Sequence, residues 1–277
     1  MKISGSAGHG LNTAGKRTPD DSMREFMFNL AVFNYFKAEI EQYKDSKGSK
    51  VQVIGVHDTT GKTDISLQKR SAQVNIINPA LHIDFHANAS SNNWSNAEGV
   101  ETFVYKKTLK EAVKVAEAVQ KEVVAATGLK NRGVKEGDLH MIRETKPTAI
   151  LVEGPFMNNK KEAELLKSDQ FRRTFASAIV KGVVKEYGLT KVVTATPSTP
   201  KDTKQYRILS GTFAHEEGAY RGLQAMQDTG MVKVGYIKPD GNFFRVLTGV
   251  YVGRESVEKA VEVIKKATKY YLNIVDA

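Results

Sequence analysis

The chain has 277 residues, 40% of them hydrophobic and 26% charged, and a formal net charge of +10. That composition belongs to a globular chain long enough to bury a real core in one large or two ordinary domains. Cysteine is absent, which excludes disulfides and thiolate zinc sites and leaves any metal to His and carboxylate ligands.

Up to residue 189, short apolar runs alternate with amphipathic segments. Residues 2–5 read as a strand, 22–43 as a helix, 51–56 as a strand, 65–77 as a helix and 81–85 as a strand. A strand at 100–105, a helix at 109–127, a strand at 149–153 and a helix at 168–187 follow. Each helix places apolar residues three and four positions apart. Within 109–127, Leu109, Val113, Ala116, Val119 and Val123 form such a stripe, read as core. This alternation predicts an α/β domain, a sheet layered between helices.

Residues 190–205, rich in Thr, Pro and Lys, read as a linker. Beyond it, strands at 206–212, 232–238, 242–249 and 271–275 and helices at 216–228 and 256–269 give a small βαββαβ α+β domain. Pro239-Asp240-Gly241 marks a turn. The segment from Tyr206-Arg207-Ile208-Leu209 to Gly211-Thr212-Phe213 is echoed by Phe244-Arg245-Val246-Leu247 to Gly249-Val250-Tyr251, and each copy precedes a helix.

Four residues stand where chemistry is built. His9 lies between Gly8 and Gly10 at a strand end, suited to a metal ligand or a general base. His86 ends a strand on which His82, Asp84 and His86 share one side and Ile83 and Phe85 the other. His82 reads as a packed, hydrogen-bonded histidine. Glu25 opens a long helix, as a partner of the helix dipole or as a functional acid. Glu153 ends the apolar run Ala149-Ile150-Leu151-Val152, where an isolated acid is costly without a partner or a task. Two His and two Glu suit one catalytic zinc with three ligands, an open position and a general base.

These residues sit in a larger pattern. It comprises Gly8-His9-Gly10, Glu25 with Asn29, Arg70-Ser71-Ala72-Gln73-Val74-Asn75, His86-Ala87-Asn88-Ala89, Gly99-Val100-Glu101-Thr102, Asn131-Arg132-Gly133-Val134, and Leu151-Val152-Glu153-Gly154-Pro155 with Phe156-Met157-Asn158-Asn159. In this order, residues 1–189 resemble the zinc-dependent N-acetylmuramoyl-L-alanine amidases of bacterial autolysins and phage endolysins. The resemblance implies a twisted mixed sheet in a three-layer αβα domain. It implies zinc held by His9, Glu25 and His86, with Glu153 as catalytic acid/base. The chain departs from the family at Asp84-Phe85, where Ser-Ile is frequent, and around His57-Asp58, where an Arg is usual.

Residues 206–277 resemble the SPOR domain, a peptidoglycan-binding module. Peptidoglycan is thus the expected partner of both domains, and an anionic wall accounts for the mild positive excess. That excess is spread without a dense basic block, so no nucleic acid is expected. No run of about 18 apolar residues occurs, so no membrane insertion is expected. The opening residues lack the apolar stretch of a signal peptide, so synthesis in the cytoplasm and action at the wall after release are expected. Residues 87–98, mostly Ala, Ser and Asn, are too short and too polar for a helix blocking the zinc, so no activator protein is expected. Asn88 and Trp94 are candidates for the substrate rim, with Trp94 either stacking on sugar or packing under its loop. A peptidase cutting within the stem peptide, or a non-catalytic wall-binding protein, are the alternative readings.

Overall fold

The computed structural model describes residues 1–192 and 203–277. The first segment runs β1 (Lys2–Ala7), α1 (Glu25–Ile40), β2 (Tyr43–Lys44), β3 (Gln52–Gly55), α2 (Leu67–Ile77), β4 (Leu81–Asn88) and β5 (Val100–Val104). It continues with α3 (Lys110–Thr127), β6 (Asn131–Glu136), α4 (His140–Arg143), β7 (Ala149–Phe156), α5 (Lys160–Lys167), α6 (Asp169–Tyr187) and β8 (Thr190–Lys191).

Six strands form one sheet in the order β3-β1-β4-β7-β5-β6. The first four run parallel, and β5 with β6 runs antiparallel to β7, so the sheet is mixed. Helices α1, α6 and α3 pack together over one face, and α2 with α4 lies against the other. This is the three-layer arrangement expected from the alternating pattern. Helix α1 is apolar on nearly every side, as befits a helix between the sheet and α6. Gly182 in α6 permits the closest helix contact: a Cβ there would meet the Val119 backbone of α3 at 2.6 Å.

Three sequence expectations need correction. The buried stripe of α3 is Ala112, Val115, Ala116, Val119, Gln120 and Val123, rotated from the expected one; Leu109 is 48% exposed. Gln120 enters the core because its amide is satisfied by Thr102 Oγ1, the Val100 carbonyl and Asn131 Oδ1. The expected linker also begins too early and ends too late. Thr190–Lys191 pairs with Tyr43–Lys44, and Gln205 already belongs to β9 (Gln205–Ser210). Positions 193–202 of the expected linker lie outside the described residues.

The chain divides into two units, Met1–Val192 and Val193–Ala277. In the second, β9 is followed by α7 (Glu216–Gln227), β10 (Gly235–Asp240), β11 (Phe243–Thr248), β12 (Tyr251–Val252), α8 (Arg254–Thr268) and β13 (Leu272–Asp276). All pairings are antiparallel, with β9 between β13 on one side and β11 then β12 on the other. The repeat seen in the sequence is a reciprocal bond pattern. Ser210 Oγ accepts from the Val246 N–H and Thr248 Oγ1 accepts from the Ile208 N–H, each at 2.8 Å. Each hydroxyl donates to the carbonyl of the glycine after it, Gly211 or Gly249. The side chains of Tyr206, Ile208, Val246, Leu223, Val257 and Ile264 fill a core between this sheet and α7 and α8. Among the described residues, no helix is long and apolar enough to cross a membrane.

Candidate active site

The residues expected to act together come from four elements that meet at one end of the first unit's sheet. His9 lies just past β1, Glu25 is the first residue of α1, His86 stands near the end of β4, and Glu153 is paired with His86 in register on β7. Strands β4 and β7 both run beyond the expected ends, to Asn88 and Phe156, so His86 and Glu153 lie inside paired backbone and are held more firmly than loop residues.

His9, Glu25 and His86 offer ligand atoms that all lie within 4.8 Å of one another. His9 has φ +66°, a left-handed conformation rare for a side-chain-bearing residue. Arg70 holds it there. This buried guanidinium donates to the carbonyls of Ala7, His9 and Ile65, to Ser6 Oγ and to Asp64 Oδ1, which uses all five of its N–H groups. Gly8 leaves room for the second histidine, since a Cβ at position 8 would lie 2.2 Å from the His86 ring.

Glu25 is 1% exposed, and its two oxygens differ. Oε1 accepts from Asn29 Nδ2 at 3.2 Å and from the Ala87 N–H at 3.2 Å, and lies 3.0 Å from His86 Nδ1. Oε2 is buried without a hydrogen bond, as is His9 Nε2, 3.5 Å away. Two unsatisfied buried atoms of this kind are costly unless a cation lies between them. The donor set of two imidazoles and one carboxylate fits zinc. Lys16 Nζ lies 3.9 Å from Glu25 Oε2 and adds a positive charge at the rim.

The protonation of the group follows its surroundings. Burial lowers the pKa of His9 to about 4, which keeps its imidazole neutral and able to ligate. Burial works against charge on His86 too, but Asp84 and Glu25 outweigh it and raise its pKa well above the usual value. Burial likewise opposes ionisation of Glu25, and is outweighed by His86, His9 and Lys16, so the carboxylate stays charged. Glu153 faces the opposite balance. Burial, with Glu25 and Glu101 nearby, pushes its carboxyl up to about 7, and its Oε2 has no hydrogen-bond partner.

The candidate rim residues are placed differently. The Asn88 side-chain amide donates to Glu101 Oε1 at 2.7 Å. Glu101 also binds Arg132 and Lys135, so a charged cluster flanks Glu153, its cross-strand neighbour. Trp94 is 36% exposed rather than packed beneath its loop, with Lys160 Nζ 5.8 Å from the ring centroid. The loop at 89–99 contains no helix. It is pinned by Asn158, whose side chain bonds to Ser90, Ser91, Asn93 and Ser95. That pinning explains the run of small polar residues. Glu98 pairs with Lys130, away from the histidines.

Sequence reasoning left Arg70, Asn29 and Asp84 without roles, although the first two lay in the family pattern and Asp84 at a departure from it. Two further histidines serve the fold. His82 Nδ1 is 2.8 Å from Ser4 Oγ, and His57 Nδ1 accepts from the Ala7 N–H. Burial lowers both pKa values from 6.5 to about 4. The unfolded chain therefore takes up protons that the folded chain refuses. Their contribution to stability is complete above about pH 6.5 and is lost as the pH falls towards 4, at about 3 kcal/mol for each histidine. Urea unfolding of the metal-free protein should show this decline over that window. A slope equal to that of a His57→Gln, His82→Gln double variant would refute it.

A profile of the Amidase_3 family, described as N-acetylmuramoyl-L-alanine amidase, matches residues 6–185. The chain is 30% identical over 151 residues to N-acetylmuramoyl-L-alanine amidase LytC of Bacillus subtilis, covering 54% of this chain and 30% of LytC. It is 31% identical over 128 residues to the endolysin of Bacillus phage SPP1, covering 44% of this chain and 45% of that protein. The chain thus spans less than half the length of either relative. The crystal structure of N-acetylmuramoyl-L-alanine amidase from Clostridium difficile 630 superposes with a TM-score of 0.60 at 26% identity, covering 66% of this chain and 95% of the other. Through its first unit, this chain belongs to the N-acetylmuramoyl-L-alanine amidase family.

Proposed function

We propose that the chain hydrolyses the amide between N-acetylmuramic acid and L-alanine in bacterial peptidoglycan, using one zinc ion. The observation that carries this reading is the convergence of His9, Glu25 and His86 beside a half-buried Glu153 whose carboxyl is pushed up to about 7. His9, Glu25 and His86 would hold the zinc, which supplies a Lewis acid for the scissile carbonyl and the attacking water. Glu153 takes the proton of that water at its free oxygen and returns it to the leaving amine of L-alanine. A carboxyl with a pKa close to neutral suits both halves of that exchange. Arg70 keeps the His9 backbone in place, and Asn29 and the Ala87 N–H fix which Glu25 oxygen faces the gap.

Mass spectrometry of digested peptidoglycan tests the reaction. Glycan strands free of peptide, with new L-alanine amino termini, are the expected products. Cleavage inside the stem peptide would make the chain a peptidase instead. A zymogram that stays uncleared with or without chelator would leave only a wall-binding role. Purified protein should act without a second protein, because the loop at 89–99 carries no helix and Glu98 is engaged by Lys130. Activity that appears only after a partner is added would contradict this.

The second unit is read as a SPOR-like module that holds glycan strands. Its βαβββαβ order, the expected βαββαβ with the two-residue β12 added, and its internal repeat support that reading. Truncation after Val192 should leave the cut of small soluble muramyl peptides within about twofold of the full chain and weaken digestion of intact walls by about tenfold or more, the gain a tethered second site provides. Loss of activity on soluble fragments would place the second unit in catalysis.

A further inference from the structure

Asp84 stands behind His86. It is 2% exposed, and its Oδ2 lies 3.2 Å from His86 Nε2. Its other oxygen, Oδ1, is buried with no hydrogen bond. A carboxylate in that position is costly unless its charge serves a neighbour. The nearby guanidinium of Arg70 does not bond to it, since all five of its N–H groups go elsewhere. Among the described residues, the only hydrogen-bond partner of the Asp84 side chain is therefore the outer nitrogen of His86.

The sheet dictates this contact. Alternation along β4 puts Asp84 and His86 on one face, two residues apart, and pairing with β1 sets Asp84 opposite Ser6. Ser6 Oγ accepts from Arg70, and the Asp84 carboxylate meets His86 instead.

We infer that Asp84 is a positioning residue for the metal centre: it accepts the His86 Nε2–H, fixes the ring's tautomer and orientation, and so presents Nδ1 to the ion. The inference rests on the zinc reading given above. An ionised carboxylate can only accept, so the nitrogen facing it must carry the proton. A neutral imidazole has one proton, and the other nitrogen is then the one with a free lone pair. That other nitrogen, Nδ1, is the one 3.0 Å from Glu25. Carboxylates in such an outer position typically change metal affinity by about 10–100-fold when lost.

The test is a competitive-chelator titration of zinc on the full-length protein, wild type against Asp84→Asn and Asp84→Ala, beside the melting temperature of the metal-free forms. Asp84→Asn keeps the shape and removes the charge. Both variants should bind zinc about 10–100-fold more weakly. With cobalt(II) at saturation, the visible d–d bands of Asp84→Asn should shift, because the ring is no longer held in one orientation. If Asp84→Ala does not fold, Asp84→Asn decides alone. Wild-type zinc affinity in Asp84→Asn, or cobalt bands superimposable on wild type, would overturn the inference and leave Asp84 a purely structural residue. Failure of the wild-type protein itself to bind zinc would instead remove the underlying reading.

Discussion

Glu153→Gln should keep fold and zinc and lower turnover by roughly 10²–10⁴-fold, the range for loss of a positioned general acid–base. Gln is nearly isosteric and keeps the strand pairing of β7 with both β4 and β5. It cannot exchange a proton near neutral pH. The metal should stay, because the three groups that converge are His9, Glu25 and His86, and Glu153 is not among them. Zinc content by elemental mass spectrometry, melting temperature and product release give the three readouts. Zinc missing from the purified variant would make Glu153 a ligand and reverse the roles.

His9→Ala and His86→Ala should each abolish stoichiometric zinc binding and reduce activity to background, yet their stabilities should differ. His9 sits on a loop, and burial keeps it neutral, so its removal strips a ligand and little else. In the metal-free protein, where Asp84 and Glu25 hold its pKa well above the usual value, His86 is the cation between these two buried carboxylates. Deleting one partner of a buried ion pair typically costs about 3–5 kcal/mol, because the remaining charge is left without compensation. Denaturant titration of the metal-free variants should place His86→Ala well below His9→Ala. Equal stabilities, or full activity in either variant, would contradict the assignment of His86.

Much of the site was legible because its residues interrupt otherwise regular patterns. His9 breaks out between two glycines, His86 ends an alternating strand, and Glu153 is an acid closing an apolar run. What escaped was polar structure inside the core. Strand β6, Asn-Arg-Gly-Val-Lys-Glu, has no apolar alternation because it is an edge strand with one flank open. Gln120 shifted the stripe of α3 because hydropathy gives no sign that an amide will find three partners. The short α5 was announced by Asn159, whose side chain caps the Lys161 and Glu162 N–H groups, but eight residues give too little periodicity to register. The two-residue strands β2 and β8 pair with each other from opposite ends of a long stretch of the first unit, a contact no local pattern announces. Arg70, Ser6 and Asp84 line a sheet face that packing rules would fill with aliphatic side chains. Their polarity makes sense only once the five bonds of Arg70 and the contact to His86 are seen together.

The strand order has a consequence for how the first unit comes into being. Ribosomes deliver residues 9, 25 and 86 first, and residue 153 long after them. Yet β7, which carries residue 153, is not added at an edge: it is inserted between β4 and β5, and only its arrival joins the two halves of the sheet. A nascent chain therefore has neither a joined sheet nor Glu153 until more than half of it has been made. The same holds for a fragment cut before β7. The proposed site is therefore completed only with the strand that joins the sheet.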